Sequence, residues 1–239
     1  MTPDFLFALP DYNTWLNTQE SSLLLLSGQT DIKSRAGRGF THSWLSPATL
    51  HVTSTLRENG NTKVAYYSCH PGVRTDKEID IHLEKDMLTQ LSYHLLERQP
   101  SILRRKMQQL QNLIHNLLWE GVDTGTNDTN KQKKKHTGRN IEKAPLALWF
   151  SLLREVLLEM RAESPRDCVY LVLDRLDLVE CRIGDFMDEL AGLVKHEACF
   201  VKVFAVMDEV KGEWEVGLEN QERVHFVQGL NQKKVGAFG

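Results

Sequence analysis

Short, nearly unbroken apolar runs recur along the chain, separated by longer stretches in which apolar residues return every three or four positions. SLLLLS at 22–27, KVAYYSC at 63–69 and CVYLVLD at 168–174 are the clearest runs, followed by CFVKVFAVM at 199–207 and RVHFVQ at 223–228. A strand with one solvated face alternates apolar and polar residues. Runs without that alternation suit strands covered on both faces, as in a parallel sheet held between two helix layers.

The stretches between the runs read as helices. Ser46-Pro47 is an N-cap followed by proline at the first helical position, so the pattern predicts a helix from Pro47 to about Glu58, stopped by Asn59-Gly60. From Glu78 to about Arg98, Ile79, Leu83, Met87, Leu91 and Leu95 form one apolar face, and Pro100 closes it. Ser101 opens another helix carrying Leu103, Met107, Leu110, Ile114 and Leu117. Pro145 leads LALWFSLLREVLLEM, which ends before Pro165, and Ile183 to about His196 is a further amphipathic, rather acidic segment. Alternating runs and helices predict one α/β domain. Its expected bounds are 21–230, after a lead-in segment at 1–20 and before a tail at 231–239. The stretch 121–140, GVDTGTNDTNKQKKKHTGRN, is nearly devoid of apolar residues and reads as a surface insertion within the domain.

Composition narrows the partners. A net charge of -3 over 239 residues gives no basic field for nucleic acid or anionic lipid, so neither specific nucleic-acid binding nor membrane association is expected. The four cysteines form no C-x-x-C pair and suit reduced thiols. MTPDFLFALPDYN has neither the basic start nor the unbroken apolar core of a signal peptide. These features predict a cytoplasmic protein. The lysine-rich run Lys131–Lys135 is the feature that would suit nuclear import, but without interleaved aromatic residues a merely solvated loop is the preferred reading.

The chemistry concentrates in CVYLVLDRLDL, residues 168–178. An apolar strand that ends in Asp174, with Asp177 three residues on, is the pattern by which P-loop NTPases hold the water shell of a magnesium ion at the carboxyl edge of the sheet. No H-E-x-x-H, zinc-spaced Cys/His cluster or G-x-S-x-G elbow competes with it. Taken in order, DYNTWLNTQESSLLLLSG, KVAYYSCHPGVRTD, MLTQLSYHLLERQPSIL and CVYLVLDRLDLVEC resemble the fungal NACHT-type P-loop NTPase domains of STAND signalling proteins, themselves similar to the N-terminal NTPase region of nephrocystin-like proteins. The resemblance covers roughly Tyr12 to Gln228. It implies a three-layer P-loop NTPase-like fold with a five-stranded, mainly parallel sheet, helices on both faces and strand order β2-β3-β4-β1-β5. It also makes Asp174 the Walker B aspartate and Asp177 the second acidic position, both toward magnesium. In full family members the nucleotide switch sits between an effector domain and a repeat array, so this chain would be a truncated or stand-alone version.

The first motif departs from that family. A working loop, G-x-x-x-x-G-K-[ST], wraps a phosphate with backbone N–H groups, reaches it with lysine and offers a hydroxyl to magnesium. Matching glycines places Ser34 and Gly39 at the two glycines, Phe40 at the lysine and Thr41 at the hydroxyl. Matching helix starts instead puts Trp44, Leu45 and Ser46 in place of Gly-Lys-Ser. Neither alignment has the lysine, and Gly28 to Ser46 spans eighteen positions where the motif has seven. The candidate, degenerate nucleotide-binding residues are therefore Gly28, Arg35, Gly37, Arg38, Gly39, Thr41 and Ser46, with Lys33, Arg35 or Arg38 as substitute charges. The Walker B tail also carries Arg175 where a small residue is common and Leu178 where many relatives have a glutamate. The strand at 199–207 lacks the Thr-Ser-Arg ending usual in the family.

Three readings follow. The leading one is a non-hydrolysing regulatory or protein-interaction module with protein partners and no catalytic residue. The second is an ATP or GTP switch with magnesium and slow hydrolysis, and the third a purely structural scaffold without cofactor.

Overall fold

The computed structural model describes residues 3–29, 45–58, 62–69, 83–97, 99–119, 146–179, 183–208 and 223–231. The insertion expected at 121–140 and residues 232–239 lie outside them. A 3₁₀ turn, Pro3–Ala8, precedes α1 (Pro10–Asn17). Then come β1 (Ser22–Gln29), α2 (Ser46–Glu58), β2 (Lys63–Ser68), α3 (Leu83–Glu97), α4 (Pro100–Trp119), α5 (Leu146–Glu163), β3 (Val169–Asp174), a short 3₁₀ turn (Leu176–Leu178), α6 (Ile183–Lys195), β4 (Val201–Met207) and β5 (Val224–Asn231). The sheet order is β2-β3-β4-β1-β5, and every pairing in it is parallel. This is a three-layer, P-loop NTPase-like α/β fold.

Strand parity explains the unbroken apolar runs. Leu23, Leu25, Ala65, Tyr67, Leu171, Leu173, Val203 and Ala205 point to one face and pack with α3, α5 and α6. Their even-numbered neighbours Leu24, Leu26, Val64, Val172, Phe204 and Val206 point to the other, under α1, α2 and the first 3₁₀ turn. Successive side chains alternate sides along a strand, so a strand covered twice needs apolar residues at every position.

The first twenty residues are part of this packing. Pro10 at the start of α1 and Asp11 in its first turn suit a helix beginning, and Tyr12 and Trp15 fall on one face. Both are buried. Trp15 lies within stacking range of Tyr12, Phe204 and Tyr170, with ring centroids 5.8, 5.7 and 5.9 Å away, and its indole N–H donates to the Ser22 carbonyl at 3.3 Å. The buried Lys202 ammonium donates to the Leu16 carbonyl at the end of the same helix, 2.7 Å away.

α4 is attached in a different manner. Ile102 is buried, but the ties to α5 are polar: Arg105 to Glu163 at 2.8 Å, Lys106 to Glu159 at 2.9 Å, and the Ser101 hydroxyl donating to Glu163 at 2.8 Å. Leu103 and Met107 face solvent. The Ser101 hydrogen bond, opposed by burial and joined by the Arg105 guanidinium, holds the Glu163 carboxyl below its ordinary range. Its contribution is therefore present above the ordinary carboxylate value and lost as pH falls through the lowered one. Replacing Glu159 and Glu163 together by glutamine is expected to leave global stability within about 1 kcal/mol, as surface ion pairs allow. Hydrogen exchange of the α4 amides should meanwhile quicken several-fold, and unchanged α4 protection would show that the polar ladder does not hold the helix down.

Candidate functional site

Parallel strands bring their carboxyl ends to one edge, where open α/β sheets bind ligands. At that edge Asp174 ends β3, 2% exposed. Its Oδ1 accepts from the Ser46 hydroxyl, the first residue of α2, at 3.0 Å, and its Oδ2 accepts from the Ser68 hydroxyl, the last residue of β2, also at 3.0 Å. The backbone N–H of Cys69 donates to the Asp174 carbonyl at 2.9 Å. One carboxylate therefore ties together the start of a helix and the ends of two strands. Burial raises the Asp174 carboxyl above its ordinary range, partly offset by the Ser68 and Ser46 hydroxyls and by the Arg175 charge. Burial first, and then the Asp174 charge, pushes the neighbouring Cys69 thiol up as well, so it stays protonated at neutral pH.

Immediately after Asp174 the chain turns through Arg175, whose φ of 62° and ψ of 47° lie in the left-handed region. For a residue with a side chain this costs about 1–2 kcal/mol. The Arg175 side chain is buried and grips Asp177 with two nitrogens. Its Nε donates to Oδ1 at 3.0 Å and Oδ2 at 3.2 Å, and its Nη2 donates to Oδ2 at 2.8 Å. The Asp177 Oδ1 also accepts the backbone N–H of Asp208, just past β4, at 3.1 Å. Burial alone would lower the guanidinium pKa; the hydrogen bond and charge of Asp177, then the charges of Asp208 and Asp174, hold it above its usual value.

Among the expected site residues, Gly28 lies in β1, opposite Leu230 across a break in register with β5. Ser46 meets Asp174 directly, as the hydroxyl of a phosphate-binding motif does beside its strand-end aspartate. The alignment of helix starts is thus the one that brings a hydroxyl to the aspartate. It puts Leu45 at the lysine position, and Leu45 is fully buried in the core beneath α2 with Ala48 and Val52. Arg35, Gly37, Arg38, Gly39 and Thr41 lie outside the described residues, as does Lys33. Asp174 and Asp177 share one edge but differ in what they hold. Asp174 engages hydroxyls, and Asp177 engages the guanidinium and an N–H. Among the described residues, no group of three or more His, Cys, Asp or Glu side chains is arranged to hold a metal ion. Ser46 and Asp174 form a donor pair that suits magnesium, whereas the Asp177 oxygens are already taken up.

Ser68 and Asp208 are site residues that the motifs did not single out. The signal for Ser68 was its place at the last position of a strand whose neighbour ends in Asp174, and strand registry pairs the two. Asp208 follows an apolar strand in the same way, but its backbone N–H makes the contact with Asp177, and no side-chain pattern marks a backbone donor.

No protein-family model matches the chain, and a search of curated proteins finds no match. No helix among the described residues is long and apolar enough to cross a membrane.

Proposed function

We propose that this chain is a degenerate NACHT/STAND-type NTPase-like domain, a non-hydrolysing module that regulates or binds other proteins. The observation that carries the reading is Leu45, fully buried at the position of the phosphate-binding lysine and immediately ahead of the Ser46 hydroxyl on Asp174. Lysine in a working site contacts the transferring phosphoryl group. One electrostatic donor of this kind is worth about 2.7–4 kcal/mol in the transition state. A leucine held in the core supplies none of it. Leu178, where a glutamate could polarise water, is partly buried against the core.

A second reading, an ATP or GTP switch, draws support from the intact Ser46–Asp174 pair at 3.0 Å. Titration with labelled ATP and magnesium separates the two. The proposed module shows neither saturable binding nor phosphate release above background. Micromolar affinity that disappears in Asp174→Ala would overturn it in favour of the switch.

A further inference from the structure

We infer that Arg175 is the resident cation of this strand edge, supplying from within the chain the positive charge that a divalent metal brings to a working phosphoryl-transfer site. The inference deepens the reading above, since it rests on the edge being the former nucleotide site.

Three observations lead to it. The first is charge. Asp174 and Asp208 are buried, the Asp177 side chain is 15% exposed, and all three carboxylates act on the one guanidinium. Buried carboxylates do not gather without a compensating cation. Arginine stays charged at every pH the protein meets, so this compensation requires neither metal nor proton.

The second is valence. A carboxylate offers about four lone-pair sites. On Asp177, three N–H groups donate: the Arg175 Nε–H, shared between Oδ1 and Oδ2, the Arg175 Nη2–H to Oδ2, and the Asp208 backbone N–H to Oδ1. The guanidinium bridges both oxygens, so a metal held by the two together would have to displace it. Asp174 has a hydroxyl on each oxygen.

The third is backbone. A left-handed residue with a side chain persists only where its surroundings over-determine it, and glycine would occupy the position without that cost. What the arginine adds is the charged side chain, 5% exposed and fitted two-pronged to Asp177.

Asp177 is therefore closed to magnesium and manganese, and Arg175 closes it. The test is Mn²⁺ binding, followed by the electron paramagnetic resonance signal of free Mn²⁺ at constant ionic strength, on the wild-type chain and on Arg175→Gly, Arg175→Lys and Asp177→Asn. Glycine suits the left-handed backbone, so Arg175→Gly removes the cation without adding strain. Wild type and Arg175→Lys are expected to bind no Mn²⁺ saturably in the millimolar range. Arg175→Gly is expected to melt at a lower temperature in metal-free buffer, to recover with Mn²⁺, and to bind it at least roughly tenfold more tightly than wild type.

Saturable binding to wild type that Asp177→Asn abolishes would overturn the inference, and this arm decides even if Arg175→Gly does not fold. A folded Arg175→Gly that takes up no more Mn²⁺ than wild type would overturn it too. Nucleotide enters neither arm. A chain that hydrolyses ATP defeats the functional reading, and a chain that takes Mn²⁺ at Asp177 without nucleotide defeats this one.

Discussion

Trp15→Ala is expected to lower the free energy of unfolding by about 3–5 kcal/mol, the range for removing a fully buried large aromatic side chain. Domains of this kind have total stabilities of about 5–15 kcal/mol, so the loss is a large share of what holds the fold. The residue has no exposed surface, three aromatic neighbours and a hydrogen bond to the first residue of β1. Truncation opens a cavity between α1 and the central strands β1 and β4, where Phe204 and Leu24 cannot collapse without leaving the sheet. Urea denaturation followed by far-ultraviolet circular dichroism measures the change, because tryptophan emission would lose one of its reporters. Trp15→Phe keeps most of the apolar contact and gives up the N–H donor, so a drop of about 1 kcal/mol is expected there. A Trp15→Ala midpoint within error of wild type would mean that α1 is an appendage, with the sheet stable without it.

That helix also shows where sequence reasoning stops short. Residues 1–20 read as a lead-in ahead of the first clear strand, their apolar run broken at Pro10 and Asp11. Yet Pro10 is the residue that starts α1, and the eight-residue helix carries only two buried side chains. A short helix gives too few turns for its period to stand out, and its stability comes from the face it covers. The β runs were legible for the opposite reason. Burial on both sides demands apolar residues at consecutive positions, a pattern that Leu23 to Leu26 and Val201 to Val206 display without ambiguity. Strand order is not written in any single run. It entered through the family resemblance, and the sheet has that order.

The site divides along the same line. Asp174 was legible because it ends an apolar run with Asp177 three residues on, the strand-end pattern by which P-loop NTPases hold magnesium. Which partners it has depends on how β1, β2 and α2 are arranged around it, a tertiary fact that put Ser68 beyond reach. Two alignments of the first motif were open from spacing alone. The contact between Ser46 and Asp174 matches the alignment of helix starts, in which the buried Leu45 falls at the position of the lysine. Arg175 stood out as an unusual residue type at its position, but only its left-handed backbone and its grip on Asp177 give that oddity a physical content.

Asp174→Ala and Asp174→Asn should part company. Alanine leaves the Ser46 and Ser68 hydroxyls without the acceptor they share and opens space at the end of β3, for an expected loss of about 2–4 kcal/mol. Asparagine has nearly the same shape, and its carbonyl oxygen still accepts from one hydroxyl, so its cost is smaller. The two substitutions also differ from wild type in how stability follows pH. Burial raises the folded-state pKa of Asp174 above its ordinary value, so the native state binds the proton more tightly than the unfolded chain does. That contribution is fully present below the ordinary aspartate pKa and is lost as pH rises through the raised one. Across this window the wild-type chain should lose stability relative to Asp174→Asn, which has no charge to desolvate. Other carboxylates titrate in the same range, Glu163 in the opposite sense, but they are common to both proteins and cancel in the difference. Urea midpoints for the pair at a series of pH values read that difference directly. If the gap stays constant, the partners of Asp174 just cancel the cost of burial; if it moves in favour of wild type with rising pH, the Ser68 and Ser46 hydroxyls and the Arg175 charge favour the carboxylate more strongly than burial opposes it. If the gap moves toward asparagine, the carboxylate is kept at a cost in stability, and its reason for being there is the junction it makes among α2, β2 and β3.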